Sequence, residues 1–229
     1  LNIALIDRII DTIIGCIIAY LSALIILPNW ASDSFDEEVL EIIEKTKIYF
    51  QQAAKFFQSG PPPVQEYKLA RKDAFVSLAN LSGKLQLIIS EPKKKRQHIA
   101  YYHQLVTINH MLTSNIAALA VYGKNAGHKY NKDDFDPMIK IILQQFNKAK
   151  RISDPSIPEK ITSNSSLPIN KRVARLLNER KSALEFGLNS TPVEERKTMT
   201  ELKIITDQFR LISATLHDEI KVLNKLEAG

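Results

Sequence analysis

The sequence has a single cysteine, Cys16, so no disulfide can form within the chain, and no Cys/His spacing suited to zinc occurs. Only 7 of its 229 residues are glycine, and neither a phosphate-cradling loop nor a dinucleotide-binding glycine fingerprint is present. The patterns G-x-S-x-G and H-E-x-x-H are missing too. His103 and His110 are seven residues apart, two helical turns. That is too far for the metal pair that i, i+4 spacing gives on adjacent turns. Cys16 has no histidine near it in sequence and lies where a thiolate is costly. These absences point away from an enzyme and leave no cofactor or metal site to assign. No segment carries a strand pattern of comparable quality to the helical ones, and there is no defensible internal repeat.

What the chain does have is Leu, Ile, Ala, Lys and Glu, a composition that favours helix. The net charge of +6 is diffuse, and its one dense cluster is Lys93-Lys94-Lys95-Arg96. A nucleic-acid binder more often shows a basic face with interleaved aromatics, so no nucleic-acid partner is expected. A basic domain beside a bilayer fits the positive-inside rule instead.

Between Thr12 and Ser32 there is no charged residue, a length that matches a bilayer-spanning helix. Pro28 and Trp30 close the run, and tryptophan suits the headgroup interface. The competing reading is a buried core helix, but a soluble helix this long is usually polar on one face. Within the run, Gly15, Ala19 and Ala23 recur every fourth residue and form one narrow stripe. Such a stripe lets another membrane helix approach closely, although Gly and Ala are common in membrane helices anyway. Arg8 and Asp11, three apart, can pair on one helical face. They belong near the interface or in a polar interior, because an unpaired charge at mid-bilayer costs roughly 2.5–3.5 kcal/mol. The chain starts at Leu1 and enters the apolar run at once, which suggests that upstream membrane helices are missing. A signal peptide fits poorly, since Arg8 is flanked by Asp7 and Asp11 and the run is too long.

The remainder reads as a series of amphipathic helices. Ser34-x-x-Glu37 is a capping-box pattern opening a helix that runs to about Ser59, where Gly60-Pro61-Pro62-Pro63 stops it. A second helix covers about 64–90, with Lys68, Arg71, Lys72 and Lys84 on its outer face. A third covers about 97–124, with Leu105, Ile108, Leu112, Ile116 and Leu119 on its apolar side. A second stripe on it, His103, Thr107, His110 and Ser114, is polar throughout. It reads first as a hydrogen-bonded seam between packed helices and second as the lining of a ligand site. Gly123 to Asp134 reads as a loop, and Asp136-Pro137 as an N-cap followed by proline at N1. Residues 151–168, with three prolines and many serines, read as a linker or long loop. Val173, Leu176, Arg180 and Leu184 mark a further helix. Thr191-Pro192-Val193-Glu194 opens the last, whose 3-4 spacing resembles a short coiled-coil seam.

Arg8-x-x-Asp11-Thr12-x-x-Gly15, followed by the apolar run to Leu27-Pro28-x-Trp30, resembles the last membrane helix of FUSC-like inner-membrane proteins, the fusaric-acid-resistance group. Glu91-Pro92 followed by the segment from His103 to Leu119 resembles the carboxy-terminal domain of that family's YccS-type branch. The resemblance covers residues 8–122. It implies a bacterial inner-membrane protein with helical cytoplasmic domains, similar to exporters of aromatic or other organic acids. It supplies no catalytic residues.

The expectation is thus an all-α chain: a terminal transmembrane helix at 1–30 and a helical cytoplasmic domain at 31–150. A linker at 151–168 and an antiparallel helical hairpin at 169–229, packed on the first three soluble helices, complete it. The expected partners are the lipid bilayer, the upstream membrane helices, further copies of the chain, and an organic-acid substrate of the whole protein. The rival is a membrane-tethered helical interaction scaffold that transports nothing.

Overall fold

The computed structural model describes residues 2–26, 30–92, 96–126, 129–130, 132–154, 156, 169–186 and 192–227. Among these there are seven α-helices, one 3-10 turn and no strand: α1 (Asn2–Ile26), α2 (Phe35–Gln58), α3 (Val64–Ser90), α4 (Ile99–Ala126), α5 (Lys132–Ser153), α6 (Ile169–Phe186) and α7 (Pro192–Glu227). The chain is all-α, as its composition and periodicity require.

Helices α2, α3, α4, α5 and α7 form a bundle in which α2 packs on α3 and α3 on α4, whereas α5 finds its main partners in α2 and α7. α2 packs on α3, α4 and α5, while α7 covers α4 and α5; α6 lies against α5 and α7. Phe57 of α2, Phe135 of α5 and Phe209 of α7 meet with ring centroids 5.0–5.6 Å apart. Offset and edge-on contacts of this kind add about 0.5–1.5 kcal/mol each beyond burial. Leu202, Ile205, Phe209, Ile212, Leu216, Ile220 and Leu223, the coiled-coil-like seam of α7, are all buried within the same chain. They cover α4, the third of the soluble helices expected as support, together with α5. Residues on both sides of the 151–168 segment therefore contribute to one apolar core. Asn170 at the start of α6 accepts a hydrogen bond from Arg210 Nε in the middle of α7 at 3.1 Å.

Helix ends depart from expectation where a side chain finds a better partner. Ser34 makes no capping hydrogen bond. It closes the 3-10 turn Ala31–Ser34 that leads into α2, and its hydroxyl accepts from Lys84 Nζ at 2.8 Å. The acidic first turn of α2, Asp36, Glu37 and Glu38, supplies the favourable charge at that terminus instead. α5 starts at Lys132, four residues before Asp136, so Pro137 sits inside the helix and not at its first position. Asp136 accepts a hydrogen bond from Gln58 Nε2 of α2 at 2.6 Å. α7 does begin at Pro192, the position where a missing N–H is harmless; Thr191 lies outside the described residues. After α2, Gly60 adopts φ +94°, the left-handed conformation that glycine takes without strain.

Gly123, at the junction of the third soluble helix and the loop in the sequence reading, is a helical residue of α4. A Cβ there would lie 2.7 Å from Phe57 Cε2 and 2.9 Å from Phe56 Cβ. Only glycine lets α4 approach α2 this closely.

The 3-10 turn ties the entry of the chain to one end of the bundle. Ser32 N donates to Glu91 Oε1 at 3.2 Å, and Lys84 reaches both Ser34 and Glu38. Four peptide steps separate Ile26, the end of α1, from Trp30. They span at most about 14 Å, so this end of the bundle, with the start of α2 and the end of α3, stays close to the end of α1.

Candidate functional site

α1 is about 37 Å long at 1.5 Å per residue, enough to cross a hydrocarbon core of about 30 Å. Its large apolar side chains from Leu5 to Leu21 are 48–67% exposed and cover a broad face, opposite a narrow strip of Arg8, Asp11, Thr12, Gly15 and Ala19. Among the described residues, the one helix long and apolar enough by composition to cross a membrane is α4. Its Leu105, Leu112, Ile116 and Leu119 are, however, fully buried in the bundle, so its apolar character already has a use. α1 has none within the described contacts, since no element of the bundle packs on it extensively.

Nothing lies within 4 Å of the space a Cβ at Gly15 would occupy, and Ala19 is exposed. These two small residues of the stripe are open to a neighbouring helix; the side chain of Ala23 lies outside the described set. Arg8 and Asp11 are exposed, and no ion pair joins them among the described residues. Thr12 Oγ1 donates to the Arg8 carbonyl at 2.8 Å, a backbone bond within the helix.

The polar stripe of α4 lies on the outside of the bundle. His103, Thr107, His110 and Ser114 are all exposed, so they form no buried seam. Thr107 Oγ1 donates back to the His103 carbonyl at 2.9 Å, and His110 Nε2 lies 3.2 Å from Ser82 Oγ of α3. The stripe borders the outer junction of α3 and α4. Of the basic cluster, Lys93–Lys95 lie outside the described residues, and Arg96 caps the Ile89 carbonyl at 3.0 Å.

The buried polar group lies one face further round α4. Asn109 and Glu219 are both fully buried, and Asn109 Nδ2 donates to Glu219 Oε1 at 2.9 Å and to the Leu105 carbonyl at 3.0 Å. Glu219 Oε2, Asn109 Oδ1 and the neighbouring Thr113 Oγ1 have no hydrogen-bond partner among the described residues. Burial pushes the Glu219 carboxyl up to about 7, against the opposing pull of the Asn109 hydrogen bond. The sequence does hold a signal for this pair. Glu219 follows Ile205 and Ile212 at seven-residue intervals, and Asn109 stands seven before Ile116, so each polar residue occupies an apolar-seam position.

At the end of the bundle tied to α1, Asp36, Val39, Ile152, Leu223 and Leu226 line a shallow cleft. Burial raises the Asp36 carboxyl, and His98 opposes that rise. No group of three or more His, Cys, Asp and Glu side chains suited to a metal occurs among the described residues.

No family model matches the chain, and no solved structure matches it. It is 24% identical over 203 residues to an uncharacterised protein of Haemophilus influenzae, a match covering 87% of this chain and 28% of that protein. The chain thus spans less than a third of the length of the curated relatives it matches. The chain is also 30% identical over 115 residues to the inner membrane protein YccS of Escherichia coli, covering 50% of this chain and 16% of that protein.

Proposed function

We propose that the chain is the terminal membrane helix and cytoplasmic domain of a FUSC-like, YccS-type exporter in a bacterial inner membrane. The domain supports or regulates the pore, and the substrate of the whole protein is an organic acid. The observation that carries this reading is the outward apolar surface of α1 beside a bundle with its own buried core. In water, nine half-exposed Leu and Ile side chains between Leu5 and Leu21 forgo on the order of 10 kcal/mol of burial free energy, which a bilayer restores. Similarity to an inner-membrane protein of Escherichia coli supports the same location.

In this reading Gly15, Ala19 and Ala23 form the contact with upstream membrane helices or another copy of the chain. Arg8 and Asp11 sit at the interface or face a polar interior. His103, Thr107, His110 and Ser114 are candidate coupling positions on the domain surface, and no catalytic role is assigned to any residue. The seam of α7 is occupied within the chain, so α1 is the better oligomer contact.

Fractionating the natural full-length protein, with protease access to the domain after Trp30, tests the reading. Extraction only by detergent, with the domain protected in right-side-out vesicles, is expected. Recovery in the soluble fraction would remove both the topology and the exporter reading. The exposed α3–α4 surface favours a second reading, a membrane-tethered interaction scaffold. Five or more further apolar helices upstream support the exporter; a lone anchor supports the tether.

A further inference from the structure

Outside α1, eight of the ten large apolar side chains that remain exposed belong to α3 and α4. The two helices run antiparallel in a register that two contacts fix. Ser82 meets His110 at 3.2 Å, and further along both Tyr67 and Gly123 lie against Phe56. Lys68 and Arg71 of α3 therefore stand level with Lys124 and Val121 of α4. With Lys72 one turn on, four cations gather at the end of the bundle away from α1, around exposed Phe75, Val76 and Val121. Glu66 nearby is already held by Lys55 at 3.3 Å, and no carboxylate of the described residues pairs with the four cations. Arg71 lies 5.7 Å above the Phe75 ring.

We propose that this distal α3–α4 face docks an acidic amphipathic helix of a partner protein. The partner's carboxylates meet Lys68, Arg71, Lys72 and Lys124, and its apolar side chains cover Phe75, Val76 and Val121. Charge complementarity selects the occupant, and helices laid in an apolar groove are a common recognition mode. A second copy fits poorly, because two such faces repel each other. The acidic first turn of α2 in a neighbouring copy, inserted the same way up, lies roughly 30 Å lower along the bundle axis. A bilayer surface is at that lower end too. Both exclusions rest on α1 spanning the membrane, as proposed above.

The test uses the full chain in micelles of an uncharged detergent. The probe is a fluorescein-labelled amphipathic peptide of Leu and Glu, compared with its Leu–Lys counterpart and with a shuffled Leu–Glu peptide. Fluorescence anisotropy should show binding of the acidic helix alone, weakened by salt. The triple variant Lys68→Glu/Lys72→Glu/Lys124→Glu, checked for native helicity by circular dichroism, should bind about tenfold more weakly or worse. Unchanged binding by the triple variant, or equal binding of the shuffled peptide, overturns the proposal. So does tighter binding of anionic phospholipid vesicles or duplex DNA through the same three lysines. Alkaline extraction from membranes reads the anchor separately, so an extractable chain sinks the anchor reading while peptide binding still reports on the face.

Discussion

Replacing Glu219 by Gln should stabilise the folded chain above neutral pH and leave it nearly unchanged in mild acid. The carboxyl is fully buried, donates nothing when ionised, and receives a single hydrogen bond from Asn109, so its folded pKa rises from 4.5 to about 7. Below 4.5 both folded and unfolded chains carry the proton, and burial of the neutral acid adds no pH-linked cost. Between 4.5 and 7 the unfolded chain loses its proton first, so stability falls as pH rises. Above 7 the loss is complete, and a shift of this size corresponds to about 3 kcal/mol. Glutamine keeps the oxygen that accepts from Asn109 Nδ2 and adds a donor that Asn109 Oδ1 lacks. Urea unfolding of the full chain in mild detergent, followed by circular dichroism at pH 5 and pH 8, measures the difference. Glu219→Gln should gain about 3 kcal/mol over the natural chain at pH 8 and somewhat less than about 1 kcal/mol at pH 5. Equal gains at both pH values, or a loss at pH 8, would show that the carboxyl is not held out of water as described.

Two glycine substitutions should act in opposite directions in the same unfolding assay. Gly123→Ala should destabilise by about 1–2 kcal/mol, because the overlap with Phe56 and Phe57 outweighs the gain in helix propensity. Gly83→Ala, exposed on α3 with nothing within 4 Å, should stabilise by about 0.5–1 kcal/mol. His110→Ala should change stability by no more than about 0.5 kcal/mol, since the ring is exposed and its hydrogen-bond partner among the described residues is Ser82. A loss of 2 kcal/mol or more would restore the stripe as a structural seam.

Helix periodicity made most of the architecture legible. The limits of α3 and the proline start of α7 follow from the residues alone, and the apolar faces of α2, α4 and α7 are buried as their spacing requires. What periodicity does not contain is which helix each face meets. The α7 seam looks the same whether it pairs with another chain or with α4 and α5. Local rules also yielded to tertiary partners. Ser34 serves Lys84 and not its own helix, and Asp136 binds Gln58 while α5 starts a turn earlier. Gly123 reads as a helix-end residue because its reason for being glycine lies on α2. For the site, polarity drew attention to His103 and His110, which are exposed. Asn109 and Glu219 each stand at an apolar-seam position, but the pair's two halves lie 110 residues apart and only the fold pairs them.

The central claim, that α1 lies in a bilayer with the bundle outside it, is tested most directly at the one cysteine of the chain. Cys16 sits in the middle of α1 and is exposed there. The natural chain and a Ser59→Cys variant, reconstituted in liposomes, would be treated with a membrane-impermeant maleimide and analysed by mass. Cys16 should stay unlabelled until the liposomes are dissolved in denaturing detergent, while the added cysteine at the end of α2 reacts at once. Labelling of Cys16 in intact liposomes as fast as at position 59 would contradict the account.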